Sequence, residues 1–287
     1  MHADIEQTIF KKGSTTYYFG ARFFPRDVRA DVLKLYSFLR VADDYVDVQP
    51  LQKAKFRALR RAWEHAAPDP QFDPTRAAGD TIDERVIKNM VFVFRKHAFD
   101  PAWVTSFLDA MQADVEGKTY STFDDTLWYM YGSAEVVGLM MAKIMNLSPD
   151  AYETAKMQGR AMQYINFIRD IAEDNALGRR YIPRTELQVY GLPDLYESTA
   201  HAHPAAFKKC MRAQIQYYRD WQKFADEGLV FMSGLLRPGL RTAISMYNWT
   251  AAQIAKDPFV VFERKVKPSK RRLLRAGLAS LLFRGHV

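Results

Sequence analysis

Two acidic stretches hold the residues best suited to chemistry: Asp43-Asp44-Tyr45-Val46-Asp47 and Asp170-Ile171-Ala172-Glu173-Asp174. Each sets two aspartates four residues apart inside a helix-like pattern. On an α-helix such residues share a face, with Cβ atoms roughly 5–6 Å apart. Carboxylates that close repel each other unless a cation lies between them. Two such pairs on facing helices form an oxygen-rich cup. The cup suits Mg²⁺, with Mn²⁺ as the alternative ion, because Mg²⁺ takes one or two carboxylates and completes its shell with phosphate oxygens. The chain therefore reads first as an enzyme that handles a diphosphate through a divalent cation.

The second stretch extends upstream. Gln163, Asn166, Asp170 and Asp174 follow at steps of three, four and four and share one helical face. Two amides and two carboxylates in a column are costly to bury without partners, so the column suits metal and diphosphate better than a core. Arg40 lies three residues before Asp43, a spacing that a plain intrahelical salt bridge also explains. Arg179-Arg180-Tyr181 follow the second stretch. Guanidinium groups grip phosphate oxygens bidentately, so these residues either clamp a diphosphate, close a lid over it, or solubilise a loop. Ser14, Thr15 and Thr16 can hydrogen-bond phosphate oxygens or cap a helix.

The elements that must position these residues are helices. The chain has 287 residues, of which 48% are hydrophobic and only 14 are glycine. It lacks alternating β-branched runs, which favours an all-α fold. Residues 26–48 read as a helix with an apolar stripe of Val28, Val32, Leu35, Tyr36 and Leu39. Residues 67–80, with three prolines and a glycine, read as a loop. Helices are expected at 83–98, at 101–116 behind the Asp100-Pro101 start signal, and at 123–146. A further helix is expected over about 150–175 behind Ser148-Pro149, then a long loop over 176–203, then helices near 204–227 and 229–256. Within 128–145, Gly132, Ser133, Ala134 and Gly138 remove side-chain volume, which permits either close helix packing or an apolar channel.

Net charge is +8. A basic chain meets nucleic acid, an anionic membrane surface or an anionic substrate. No zinc-ligand spacing and no RNA-binding aromatic signature is present, which makes nucleic acid the weakest of the three. The single cysteine, Cys210, fits a reducing, cytoplasmic compartment. No apolar run approaches the ~18 residues of a membrane span, and no cleaved leader is expected. The tail from about 262 to 287 is basic, with Leu278, Leu281, Leu282 and Phe283 as apolar residues. It reads as a peripheral membrane contact, as a disordered solubilising tail, or as a source of cations for diphosphate.

Taken together, Arg40 through Asp47, Tyr129-Met130-Tyr131-Gly132-Ser133-Ala134, and Gln163 through Asp174 continued by Arg179-Arg180-Tyr181-Ile182-Pro183 resemble the squalene/phytoene synthase family, the head-to-head prenyl synthases. The likeness runs from about Ser14 to Lys270, and the chain length is that of bacterial or archaeal members. The resemblance implies one all-α isoprenoid-synthase domain over 1–287, built around a central cavity. It implies that Asp43, Asp47, Asp170 and Asp174, with Asn166 nearby, hold Mg²⁺ bridged to diphosphates. Ser14, Thr16, Arg40, Gln163, Arg169 and Tyr181 would contact diphosphate or orient the metal cup. Tyr129 would stand by the reacting carbons, and Arg264 would add a cation from the tail. Thr15 stands where the family often has a basic residue, and Glu135 where a glycine is common.

The resemblance further implies condensation of two prenyl diphosphates through a cyclopropylcarbinyl diphosphate. Two geranylgeranyl diphosphates would give phytoene, on the path to carotenoids. Two farnesyl diphosphates would give dehydrosqualene or, with NADPH, squalene. The absence of a glycine-rich dinucleotide fingerprint favours the first. Met140, Met141 and Met145 are candidates for the cavity floor. A non-catalytic assembly or scaffold relative would lose acidic residues, yet all four aspartates stand here. A terpene cyclase would need only one acidic cup.

Overall fold

The computed structural model describes residues 21–22, 24–234 and 236–282, and every regular element among them is helical. Ser14, Thr15, Thr16 and Phe283 lie outside the described residues. Helix α1 (Arg26–Asp47) buries Val32, Leu35, Phe38 and Leu39 and carries Asp43 and Asp47 in its last turns. Helix α2 (Lys53–Ala66) follows, which the sequence reading did not name. It has no side-chain cap and is rich in charge, but Phe56, Leu59 and Trp63 recur at helical spacing and are all buried. The 67–80 stretch holds no helix.

Helix α3 (Ile82–Lys96) opens on a capping box between Thr81 and Glu84. Helix α4 (Pro101–Glu116) opens on the Asp100 carboxylate, which accepts from the Ala102 N–H, and stops at Gly117 in the left-handed region (φ 67°). The expected 123–146 helix is continuous but not uniform. Helix α5 (Phe123–Met130) passes through a π-helical turn at Tyr131–Glu135 into α6 (Val136–Ile144). Such turns often mark functional sites because they redirect side chains.

The two readings of the small residues there are both realised. A Cβ on Gly132 would fall 2.3 Å from the Ser106 carbonyl oxygen, and one on Gly138 would fall 2.2 Å from that of Ala155. These glycines let helices touch backbone to backbone, while Ser133, Ala134 and Val137 line a cavity. Gly138→Ala should therefore push α6 off its neighbour. The expected loss is about 2–3 kcal/mol, the upper range for overpacking, read as a lowered denaturant midpoint; an unchanged midpoint would show that the contact yields freely.

Helix α7 (Tyr152–Arg169) bends at Asp170 (φ −98°, ψ 16°) into α8 (Ile171–Ala176). Hydrogen bonds from Asp170 N–H to Asn166 and from Asp174 N–H to Asp170, both 2.8 Å, carry the column across the bend. The 176–203 stretch, expected as a loop, contains α9 (Arg184–Val189) and α10 (Glu197–Ala202). Six-residue helices are too short to show periodicity. Burial holds them: Leu187, Leu192 and Leu195 are in the core, and Thr126 Oγ1 donates to the Tyr181 carbonyl at 2.8 Å. Helix α11 (Pro204–Asp226) packs along α7, and a 3-10 turn (Glu227–Phe231) leads toward α12 (Leu236–Lys256).

After the short α13 (Val260–Glu263), α14 (Lys270–Leu282) packs against α12. The basic tail is thus in good part a docked helix. It buries Leu273 against the core and leaves Arg271, Arg272 and Arg275 exposed.

Candidate active site

Helices α1, α4, α5, α6, α7, α12 and α14 enclose a cavity of about 1020 Å³. That is at the upper end of the roughly 300–1,000 Å³ of small-molecule sites. One end is polar. Asp43 and Asp47 from α1 meet Asn166, Asp170 and Asp174 from the α7–α8 bend, so both acidic stretches open on one space. Arg40, Gln163, Arg169, Tyr129 and Tyr181 line the same cavity. Its remaining walls are largely apolar, with Leu35, Phe107, Met111, Met162 and Phe167 among them. Arg264 is exposed and outside the lining, whereas its neighbours Lys265 and Lys267 are part of it.

Most of these acids have a basic partner. Arg40 donates to Asp43 at 2.9 Å and also pairs with Asp44. Arg179 donates to Asp47 at 2.7 Å and to the Val46 carbonyl. Arg169 donates to Asp170 at 2.7 Å, and the Lys265 ammonium lies 3.5 Å from Asp170 while pairing with Glu173. So Arg40 is indeed an intrahelical salt-bridge partner, and it also faces the cavity. Arg179 crosses from the loop after α8 to α1 and ties one acidic stretch to the other's flank.

The electrostatics record how crowded the acids are. Burial, then Asp47, pushes Asp43 up to about 8 against the pull of Arg40. Burial, then Asp170, pushes Asp174 up to about 8, with Arg179 opposing and Asp47 of the facing stretch adding to the rise. Asp43 keeps 37% of its side-chain surface accessible, and because it lines the cavity, part of that surface opens inward. Burial, then Lys265 and Arg169, lowers Lys267. Acids held partly protonated beside an excess of like charge bind a cation with release of protons.

The donors fit a hard divalent ion. Four carboxylates and one amide supply oxygen only, as Mg²⁺ and Mn²⁺ require. The Asn166 side-chain oxygen is buried with no hydrogen-bond partner, a costly state that a cation or a phosphate-bound water would relieve. Among the described residues no three acidic, histidine or cysteine side chains converge tightly enough to cage an ion. An ion here would need phosphate and water oxygens to complete its shell, which is the usual arrangement for Mg²⁺.

Below the acids lies an aromatic layer. The Tyr181 and Phe167 rings stack at 4.3 Å and 11°, and Tyr129 lies 4.9 Å from Tyr181. Both phenols donate to Asp114, at 2.6 Å from Tyr129 and 2.9 Å from Tyr181. Burial, then Asp114, holds Tyr129 well above its ordinary value, so it stays a neutral donor. Asp114 itself rises to about 6 through burial, opposed by Arg179 and by the two phenols. The sequence reading missed Asp114. Its signal was an acid on the apolar face of α4, three residues after Met111 and seven after Phe107. Lys265 and Lys267 were visible only as part of a basic run. Glu135 points away from the cavity: it is buried and accepts from Arg160 at 2.7 Å.

Residues 10–272 match the profile of the squalene/phytoene synthase family. A 15-cis-phytoene synthase from a Paracoccus species is 33% identical over 276 residues, spanning 90% of this chain and 84% of the relative. A second, from Pantoea ananas, is 28% identical over 275 residues, spanning 94% and 89%. The fold is similar to that of a ligand-bound dehydrosqualene synthase, with a TM-score of 0.79 at 22% identity over 97% of this chain and 95% of that one. A squalene synthase from Alicyclobacillus acidocaldarius gives 0.71 at 19% identity over 89% and 94%. At such identities the two structures speak for the fold alone.

Proposed function

Because the chain belongs to the squalene/phytoene synthase family and is a prenyltransferase, we propose that it joins two geranylgeranyl diphosphates head to head into phytoene. The observation that carries this reading is that two aspartate pairs from distant parts of the chain open on one end of a single large cavity whose remaining walls are largely apolar. One acidic cup would serve one diphosphate; two, with five basic residues around them, serve two.

In this reading Asp43, Asp47, Asp170 and Asp174, with Asn166, hold Mg²⁺. When bound there, it would supply neutralisation of diphosphate charge that favours departure of the diphosphate. Arg40, Arg169, Arg179, Lys265 and Lys267 take up phosphate oxygens, some of them by exchanging a carboxylate partner for the substrate. The C1–O bond of one substrate breaks and its diphosphate departs with the electron pair. The double bond of the second substrate attacks C1, and proton loss closes the ring of a cyclopropylcarbinyl diphosphate. A second ionisation opens that ring, and a second proton loss leaves the triene. Phe167, Tyr129 and Tyr181 stand beside the cations. Their ring faces stabilise positive charge and their bulk excludes water. Asp114 fixes both phenols in place. The product is an insoluble hydrocarbon, and no described helix is long and apolar enough to cross a membrane. The exposed Arg271, Arg272 and Arg275 of α14 therefore form the proposed peripheral contact with an anionic bilayer.

The test is a product assay with Mg²⁺. Farnesyl and geranylgeranyl diphosphate are offered separately, each with and without NADPH, and hydrocarbons are identified by mass. The expected product is a C40 triene formed without NADPH. A C30 product would move the assignment to dehydrosqualene, or to squalene if NADPH is required. No condensation by folded protein would favour a non-catalytic relative.

A further inference from the structure

Of the three methionines read as floor candidates, Met140 is buried outside the cavity lining, while Met141 and Met145 line it. Met145 has a second face. A separate pocket of about 320 Å³ is lined by Asp27, Asp31, Lys96, His97, Lys143 and Asn146, with Val28, Ile144 and Met145. Met145 is the one residue common to both linings. It lies at the end of the large cavity away from the acids, beside Leu147 and Ala151.

The two spaces differ sharply in character. The large cavity is largely apolar away from the acids, with Thr154 and Gln158 as exceptions. The small pocket is built on Asp31, a carboxylate only 2% exposed, which accepts from Lys96 at 2.6 Å and Lys34 at 3.1 Å and lies 2.9 Å from His97 Nε2. Asp31 keeps its Lys96, Lys34 and His97 partners within the protein, so a chain end admitted to that space would displace water without breaking those pairs. The backbone at the partition is fixed. Met145 N–H bonds Met141 at 2.9 Å to close α6, Asn146 takes a left-handed turn (φ 52°), and Leu147 N–H returns to Ala142 at 3.0 Å. With the backbone so held, the Met145 side chain is the part of the shared wall that can change.

We propose that Met145 sets the upper length of the prenyl chain, as the side chain that closes the hydrocarbon cavity off from the neighbouring pocket. The proposal rests on the prenyl diphosphate reading of the site. Met141 supplies the control, since it lines the large cavity one turn earlier and does not border the small pocket. Met141→Ala adds volume without joining the two spaces; Met145→Ala joins them.

Binding of unreactive C15, C20 and C25 thiodiphosphates with Mg²⁺, measured by calorimetry, tests this without turnover. Met145→Ala is expected to improve C25 binding relative to C20 by about tenfold or more, on the scale of a few newly accommodated methylenes. Met145→Trp is expected to shift preference from C20 toward C15, and Met141→Ala to leave the C25/C20 ratio near that of the wild type. An unchanged ratio in folded Met145→Ala, or an equal shift in Met141→Ala, overturns the proposal. Ratios that move as expected in a protein that makes no hydrocarbon would sink the reaction and leave the length stop standing. Failure of the wild type to bind all three analogues would overturn both.

Discussion

Asp43→Asn is expected to cut hydrocarbon formation by roughly 1,000-fold or more, the scale of losing a main electrostatic contributor to charge stabilisation, while making the metal-free protein more stable. The two effects share one cause. Asp43 is raised to about 8 by burial and by Asp47, so its charged form is disfavoured in the folded chain. A carboxyl whose folded pKa exceeds its unfolded value of 3.8 stabilises fully below that value, and this contribution is lost as pH rises toward 8. Metal-free wild type should therefore lose melting temperature between pH 5 and pH 8. Asparagine cannot ionise, keeps a similar shape, and leaves Arg40 paired with Asp44. The variant should melt a few degrees higher at pH 8, with the gain shrinking toward pH 5. A chain this size moves by roughly 2 °C per kcal/mol. Scanning calorimetry across that range checks the stability, and the product assay checks the turnover. Normal turnover would remove Asp43 from the metal site; a pH-independent drop in melting temperature would show that its carboxylate serves the fold.

That cost of crowded acids explains why the candidate site stood out in the sequence as early as the all-α fold class did. Acids spaced four apart twice over, and amides in register with one pair, are locally costly patterns that no packing need explains. They stand out in a sequence because evolution otherwise avoids them. The helices that end on strong local signals were equally legible: Asp100-Pro101 and Gly117 fix both ends of α4. What the sequence hid depends on partners far away. α2 has no cap, and its apolar residues become a face only against α1 and α3. α9 and α10 are held by the burial of Leu187 in the first, Ala200 in the second and Leu192 and Leu195 between them, which six-residue helices cannot announce. Asp114 was hidden for a related reason, since it is one of three acids in α4 and gains its meaning from Tyr129 and Tyr181, 15 and 67 residues away. The tail was legible as a basic run but not as a docked helix. Its basic residues outweighed Leu273 and Gly277, the buried positions that dock α14.

Arg179→Gln is expected to act on the same cluster with the opposite sign. Arg179 is only 9% exposed, pairs with Asp47 and the Val46 carbonyl, and pulls Asp114 and Asp174 downward. Without it those acids lose their shared cation. Breaking a fully buried pair costs roughly 3–5 kcal/mol; Asp47 is 39% exposed, so about 2 kcal/mol is expected, by discounting that range for solvent screening. The loss should be larger at pH 8 than at pH 5, because the acids left behind are more fully charged there. Turnover should fall about 100-fold or more, with diphosphate affinity falling too if Arg179 grips the substrate. Asp47→Asn in the same chain should return much of the stability and none of the activity, since it removes the stranded charge and a proposed metal ligand together. The double-mutant cycle thus separates Arg179 as a counter-ion from Arg179 as a diphosphate ligand. Full recovery of stability with wild-type diphosphate affinity would make it a counter-ion alone, while lost affinity in a restabilised chain would make it a ligand.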